Sequence, residues 1–195
     1  MNNQKIYLAS QSPRRRELLA QVGLECEIIT IDVPEIPEMN ETPEMFVKRM
    51  ALTKARAGWH NEQRQRDFPV LGADTIVTID QQILGKPRDK KEGIQMLSQL
   101  AGKTHQVFSA VAVVKAEQEM FAVSKSSVTF SALTLETIKA YWETGESCDK
   151  AGGYAVQGKA AVFIKEIIGS YSGIMGLPLF ETAQLLKQFG ITVLT

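Results

Sequence analysis

A mixed-sheet α/β architecture is what this sequence predicts, and three observations carry it. Apolar β-forming runs alternate with stretches of helical spacing along most of the chain. Two β-rich runs, 105–115 and 120–130, flank a polar turn and read as a long hairpin, which argues against an all-parallel sheet. Apolar residues make up 44% of the 195 residues, enough for a sizeable core in one large domain or two tightly joined lobes.

The elements follow in order. Residues 5–10 form a short apolar run suited to a buried strand. A helix begins near Arg14, with Pro13 at its start and Gly23 just past its end, and Leu18, Leu19 and Val22 form its apolar face. A strand fits Cys26–Ile31, followed by a Pro- and Glu-rich loop from Asp32 to Thr42. Thr42, Pro43 and Glu44 combine a cap, a first-turn proline and an acid favourable to the dipole; Phe46, Val47, Met50, Ala51 and Ala55 then keep helical spacing. After a polar connection at 61–67, Pro69–Ile79 is β-rich. Asp89 to Glu92 resembles a capping box opening a helix through Leu100 that Gly102 ends. Beyond the hairpin, a helix is expected over Leu135–Thr144, a glycine-rich loop over Gly145–Lys159 and a strand over Ala161–Ile168. Pro178–Phe189 is a last helix, and Ile191–Leu194 a short last strand.

Charge and cysteine content exclude several classes of function. Acidic and basic residues balance at 22 each, against the basic excess of a general nucleic-acid binder. Cys26 and Cys148 have no CxxC spacing, and His60 and His105 do not complete a zinc set with them. Two reduced thiols, no apolar stretch near the ~20 residues of a membrane span, and no signal-like N-terminus give the expectation of a soluble, cytoplasmic protein.

Several segments carry residue types suited to anion chemistry. Ser10, Ser12, Pro13, Arg14 and Arg15 sit at a strand-to-helix junction, where free N–H groups and the helix dipole attract phosphate. The alternative there is a capped helix with a solvated basic first turn. Asp74, in Gly72-Ala73-Asp74-Thr75, falls inside an apolar run and needs a cation, a metal or hydrogen bonds unless it merely caps a turn. Lys86, in a Gly-Lys-Pro turn, and Lys54, on the second helix, also read as ordinary surface lysines, and Glu35 as a solvated loop acid. In Lys150-Ala151-Gly152-Gly153-Tyr154 the glycines permit close backbone approach, and Gln157 offers a donor and an acceptor for a base edge; a plain connecting loop is the other reading.

Taken together and in this order, these motifs, with Gly176-Leu177-Pro178-Leu179, resemble the Maf family from Ile6 to Leu186. The resemblance implies an elongated mixed sheet flanked by helices, with two lobes around a central cleft, as in the inosine triphosphate pyrophosphatases. It implies a cytoplasmic, often dimeric enzyme that cleaves a nucleoside triphosphate between the α and β phosphates, cleaning nucleotide pools, with a family link to cell-division arrest. The implied cofactor is a divalent cation, Mg²⁺ or Mn²⁺, held by Glu35 and Asp74, with Asp74 as proton acceptor. Ser10, Arg14, Arg15, Lys54 and Lys86 are the implied polyphosphate ligands. Arg14, Thr75 and Gln157 match the dTTP/UTP-preferring branch, whereas the 7-methyl-GTP branch usually has an aromatic residue, Gln and Glu there. CTP and modified uridine triphosphates are expected as secondary substrates. A non-hydrolysing nucleotide-binding regulator has little need of Asp74 beside Glu35. Enzymes acting on ITP usually carry Asn and Lys where this chain has Ser12, Pro13 and Arg14.

Overall fold

The computed structural model describes residues 5–193. Its centre is a seven-stranded mixed sheet in the order β2-β1-β3-β5-β6-β7, with β4 paired to β3. The strands are β1 Lys5–Leu8, β2 Glu25–Ile28, β3 Val70–Ile79, β4 Gln82–Leu84, β5 Thr104–Lys115, β6 Gln118–Phe130 and β7 Ile164–Ile168. The helices are α1 Pro13–Gln21, α2 Pro43–Trp59, α3 Lys90–Leu100, α4 Leu135–Trp142, α5 Tyr171–Met175 and α6 Leu179–Gln188. β1 runs parallel to β2 and β3, while β3, β5, β6 and β7 pair antiparallel in succession.

Side chains alternate across the sheet, as the pleat requires. Leu71, Ala73, Val111 and Val113 pack with Leu18, Leu19, Leu185 and Leu186 of α1 and α6. Ile76, Phe108, Ala110 and Ala112 face the other way, onto Phe46, Val47, Met50 and Ala51 of α2. A third cluster gathers α3 and α4 around Val77, Val107, Val128 and Phe130. Gly72 lets α2 lie close to β3, because a Cβ there would run into the Ala51 carbonyl oxygen and the Ala55 nitrogen.

Two edges of the sheet define the site. β5 follows one edge of β3 from Val70 to Thr78. On the other edge, β1 covers Val70 and Leu71, and β4 covers Val77 to Ile79. Residues 72–76 are left without a strand neighbour on that side, and Asp74 is in the middle of the gap.

Most of the expected elements form, and the exceptions have local causes. Ile191–Val193 is not a strand, and Leu194 lies outside the described residues. Gly190, at φ 74°, and Ile191 instead close α6: their N–H groups donate to the Lys187 and Leu186 carbonyls, and Ile191 is buried. The strand expected from Ala161 starts at Ile164, because Lys159–Phe163 forms a 3₁₀ turn whose first two N–H groups donate to the Glu146 carboxylate. β2 stops at Ile28, three residues short of the expected Ile31, since its strand partner β1 ends at Leu8. The expected capping box forms by half: Asp89 accepts from Glu92 N–H, but the Glu92 carboxylate takes the N–H of Arg88 rather than that of Asp89. β4 and α5 span three and five residues and leave no periodic pattern to read. Among the described residues, no helix is long and apolar enough to cross a membrane.

Candidate active site

A cleft of about 550 Å³ opens along the bare edge of β3. All nine residues singled out from sequence line it: Ser10, Arg14, Arg15, Glu35, Lys54, Asp74, Thr75, Lys86 and Gln157. In a strand covered on both edges, the side chains of Asp74 and Thr75 would be separated by the sheet. At an open edge both reach one cleft.

The chemistry centres on Lys54. Far from being a surface residue, it is buried to 7% exposure, and its ammonium bridges two carboxylates, Asp74 Oδ1 at 2.7 Å and Glu35 Oε1 at 2.5 Å. α2 aims it there: Ala51 and Ala55 sit on Gly72, which brings the same face of the helix against Asp74. Asp74 is 6% exposed, whereas the Glu35 side chain is half exposed. Burial pushes the Glu35 carboxyl upward, but the Lys54 hydrogen bond and charge, with Lys86 and Arg15 adding, outweigh it and hold it below its ordinary value. Glu35 is therefore not merely solvated; it is an ionised partner in a triad with one excess negative charge.

α1 begins as the serine-proline-arginine run predicted. Ser12 precedes Pro13 without using its side chain as a cap, and its N–H donates to Ser10 Oγ at 3.2 Å. The two arginines have different surroundings. Arg15 donates to Ser10 Oγ at 3.0 Å and to the Gly176 carbonyl at 2.9 Å, tying α1 to the end of α5. Burial pulls its guanidinium below the ordinary value, opposed by the Asp74 and Glu35 charges. Among the described residues Arg14 has one long ion pair, 3.8 Å to Asp149. Arg14 is thus the freer of the two to meet a ligand.

Thr75 lies in a hydroxyl chain. Ser109 donates to the Gly173 carbonyl at 2.5 Å, so the 2.7 Å contact between Ser109 and Thr75 is donated by Thr75. With its one hydrogen used, Thr75 Oγ1 offers the cleft an acceptor.

The glycine-rich segment supplies the opposite side. Tyr141 OH donates to Glu146 at 2.7 Å and accepts from Ala155 N–H at 3.2 Å, which anchors the stretch carrying Gln157. Gly152, at φ 70°, packs on Val77, and its N–H donates to the Gly85 carbonyl at 3.0 Å, so this segment is fastened to the Lys86 turn. Sequence reasoning did not place Lys150, Asp149, Asp32 and Tyr154 in the site, yet all four line the cleft. For Lys150 and Tyr154 the signal was available, since both belong to the glycine-rich motif quoted above.

Beneath the cleft, Tyr154 pairs with His105 Nε2 at 2.8 Å, and His105 is 1% exposed. Burial holds its imidazole neutral, with a pKa lowered from 6.5 to about 4. The unfolded chain therefore takes up this proton first as pH falls. The stability contributed by neutral His105 is complete above 6.5 and is lost progressively down to about 4. That loss is of the order of 3 kcal/mol. His105→Phe is expected to flatten the pH dependence of urea unfolding across this window; equal slopes in variant and parent would refute the assignment.

The Maf-like protein family matches residues 5–189. A dTTP/UTP pyrophosphatase of Alkalilimnicola ehrlichii is 52% identical over 189 residues, covering 95% of this chain and 93% of that protein. A dTTP/UTP pyrophosphatase of Saccharophagus degradans is 48% identical over 193 residues, covering 98% and 92%. Among solved structures, the Staphylococcus aureus Ham1 protein superposes with a TM-score of 0.51 at 12% identity, covering 95% of this chain and 97% of that one, a likeness of fold alone. A family match over nearly the whole described chain, joined to relatives near half identity, establishes that this protein belongs to the Maf family.

Proposed function

We propose that this chain is a nucleoside triphosphate diphosphatase that hydrolyses dTTP and UTP to the monophosphate and pyrophosphate. The observation that carries the reading is the buried Lys54–Asp74 pair joined by the half-exposed Glu35, set in a cleft that Arg14, Lys86 and Lys150 also line. A pure binding site has little need of Asp74 beside Glu35. The full-length relatives named dTTP/UTP pyrophosphatase support the substrate class.

In this reading Asp74 accepts the proton of the water that attacks the α-phosphorus. Ser10, Arg14, Arg15, Lys54 and Lys86 hold the polyphosphate and offset charge on the departing pyrophosphate. Arg14, Thr75 and Gln157 select the base: Thr75 presents an acceptor, which suits the N3–H of uracil and thymine, and Gln157 offers both a donor and an acceptor. CTP, whose N3 is itself an acceptor, is on this account a poorer substrate.

The carboxylate donors suit Mg²⁺ or Mn²⁺. Lys54 engages one oxygen each of Glu35 and Asp74, leaving the second oxygens for a hard cation whose remaining ligands are phosphate and water. Five cationic side chains and four carboxylates line the cleft, too small a positive excess to balance a triphosphate unaided. Bound there, the metal would neutralise phosphate charge and acidify water.

We also read the apolar clusters flanking the cleft as two lobes of one domain. A cytoplasmic role in cleaning nucleotide pools belongs to the same reading. Homodimerisation has the added support of exposed apolar side chains at Ile168, Tyr171 and Phe180. Pyrophosphate release from dTTP, UTP, CTP, ITP and 7-methyl-GTP with Mg²⁺ is the test. dTTP and UTP are expected to lead, preference for 7-methyl-GTP would overturn the base assignment, and release from none would overturn the enzyme.

A further inference from the structure

Glu35 sits in a stretch, 29–42, that contains neither helix nor strand, yet its carboxylate meets Lys54 in a defined geometry. Something must hold the backbone there. Arg49, one and a half turns before Lys54 on α2, donates from Nη2 to the Ile36 carbonyl at 2.9 Å. Among the described residues, this is the only hydrogen bond to the backbone of residues 31–37.

The guanidinium is itself fixed. Nε and Nη2 grip the two oxygens of Glu41 at 2.7 and 2.6 Å, a bidentate fork, and Glu38 adds a carboxylate at 3.5 Å. The Glu41 side chain is only 6% exposed and also accepts the Glu38 N–H at 3.0 Å, so the loop folds back on the same cation. One helix therefore holds the loop twice, by Lys54 at the Glu35 carboxylate and by Arg49 at the adjoining peptide.

We infer that Arg49, locked by Glu41, is a positioning residue that sets Glu35 for its work in the cleft. The inference rests on the proposed role of Glu35 as a metal ligand. Residues that orient a metal ligand change metal affinity by roughly 10- to 100-fold when removed.

The test titrates Mn²⁺ onto the full chain with α,β-methylene-UTP bound, and follows amide hydrogen exchange in parallel. Arg49→Ala is expected to raise the Mn²⁺ dissociation constant about tenfold. It should also speed exchange at the Glu38 and Glu41 amides, whose N–H groups are hydrogen-bonded within this loop, while β3 and α2 stay protected. Glu41→Gln, which weakens the fork but keeps the Arg49 stem, should shift both readouts the same way by less. In a Glu35→Ala background, Arg49→Ala should weaken Mn²⁺ no further. Unchanged loop exchange, or equal weakening with and without Glu35, overturns the inference. If Glu35→Ala itself leaves Mn²⁺ affinity intact, the metal role of Glu35 falls, and loop exchange and pyrophosphate release decide the strut. Faster exchange with a release defect absent from the Glu35→Ala background then supports it, and any other result overturns it.

Discussion

Asp74→Asn is expected to lower dTTP and UTP turnover by about a thousandfold at saturating Mg²⁺. Asp74 occupies the centre of the bare stretch of the β3 edge, and the oxygen not bound to Lys54 is the one left for water or a cation. Asparagine keeps the size and can still accept from Lys54, but it brings neither the charge nor the basicity. Removing one member of a buried ion pair often costs 3–5 kcal/mol when the other charge is stranded. Lys54 is not stranded here, because Glu35 remains 2.5 Å away. The variant should therefore melt close to the parent while losing activity, a separation that thermal denaturation and pyrophosphate release measure together. Parent-like turnover by folded Asp74→Asn would remove Asp74 from the mechanism.

Gly72→Ala is the second large effect, and it acts at one remove. The added Cβ would meet the Ala51 carbonyl oxygen and Ala55 nitrogen, with Ala55 Cα at 3.0 Å, all backbone atoms of a helix that cannot rotate aside. α2 must lift from β3, at a cost of about 3 kcal/mol, which for a chain of this size lowers the melting temperature by about 10 °C. The same movement carries Lys54 away from Asp74, and a misplacement of about 1 Å can cost on the order of 100-fold in rate. Gly85→Ala is the matched control: it adjoins Lys86 of the cleft, but a Cβ there meets nothing within 4 Å. Equal stability and activity in the two variants would show that α2 and β3 are not held by this contact.

The helices α1, α2, α3 and α6 were legible because each has a start signal and a spaced apolar face, and the hairpin β5–β6 because two long β runs flank a polar turn. Ile191 shows the limit. An apolar run after a glycine reads equally well as a strand or as the buried stitch that closes a helix, and only the hydrogen bond to Leu186 distinguishes them. β4 and α5 were illegible for want of length, though β4 bounds the gap at Asp74, and α5 and the Gly176 that caps it provide the Gly173 and Gly176 carbonyls that fix Ser109 and Arg15.

The site divides in the same way. Sequence by itself determined which residue types are available: a serine-arginine helix start, an acid inside an apolar strand, lysines in a turn and on a helix, and a glycine-rich segment ending in Gln157. It did so because those signals are local, carried by spacing and by the preferences of neighbouring residues. Only the tertiary structure decided that Lys54 is buried between two carboxylates, that Arg15 is occupied while Arg14 is freer, and that Asp74 and Thr75 reach one cleft from opposite faces of a strand. Those facts depend on how far β1 and β4 extend along β3 and on how closely Gly72 lets α2 approach, and such packing between distant segments leaves no periodic trace in the chain.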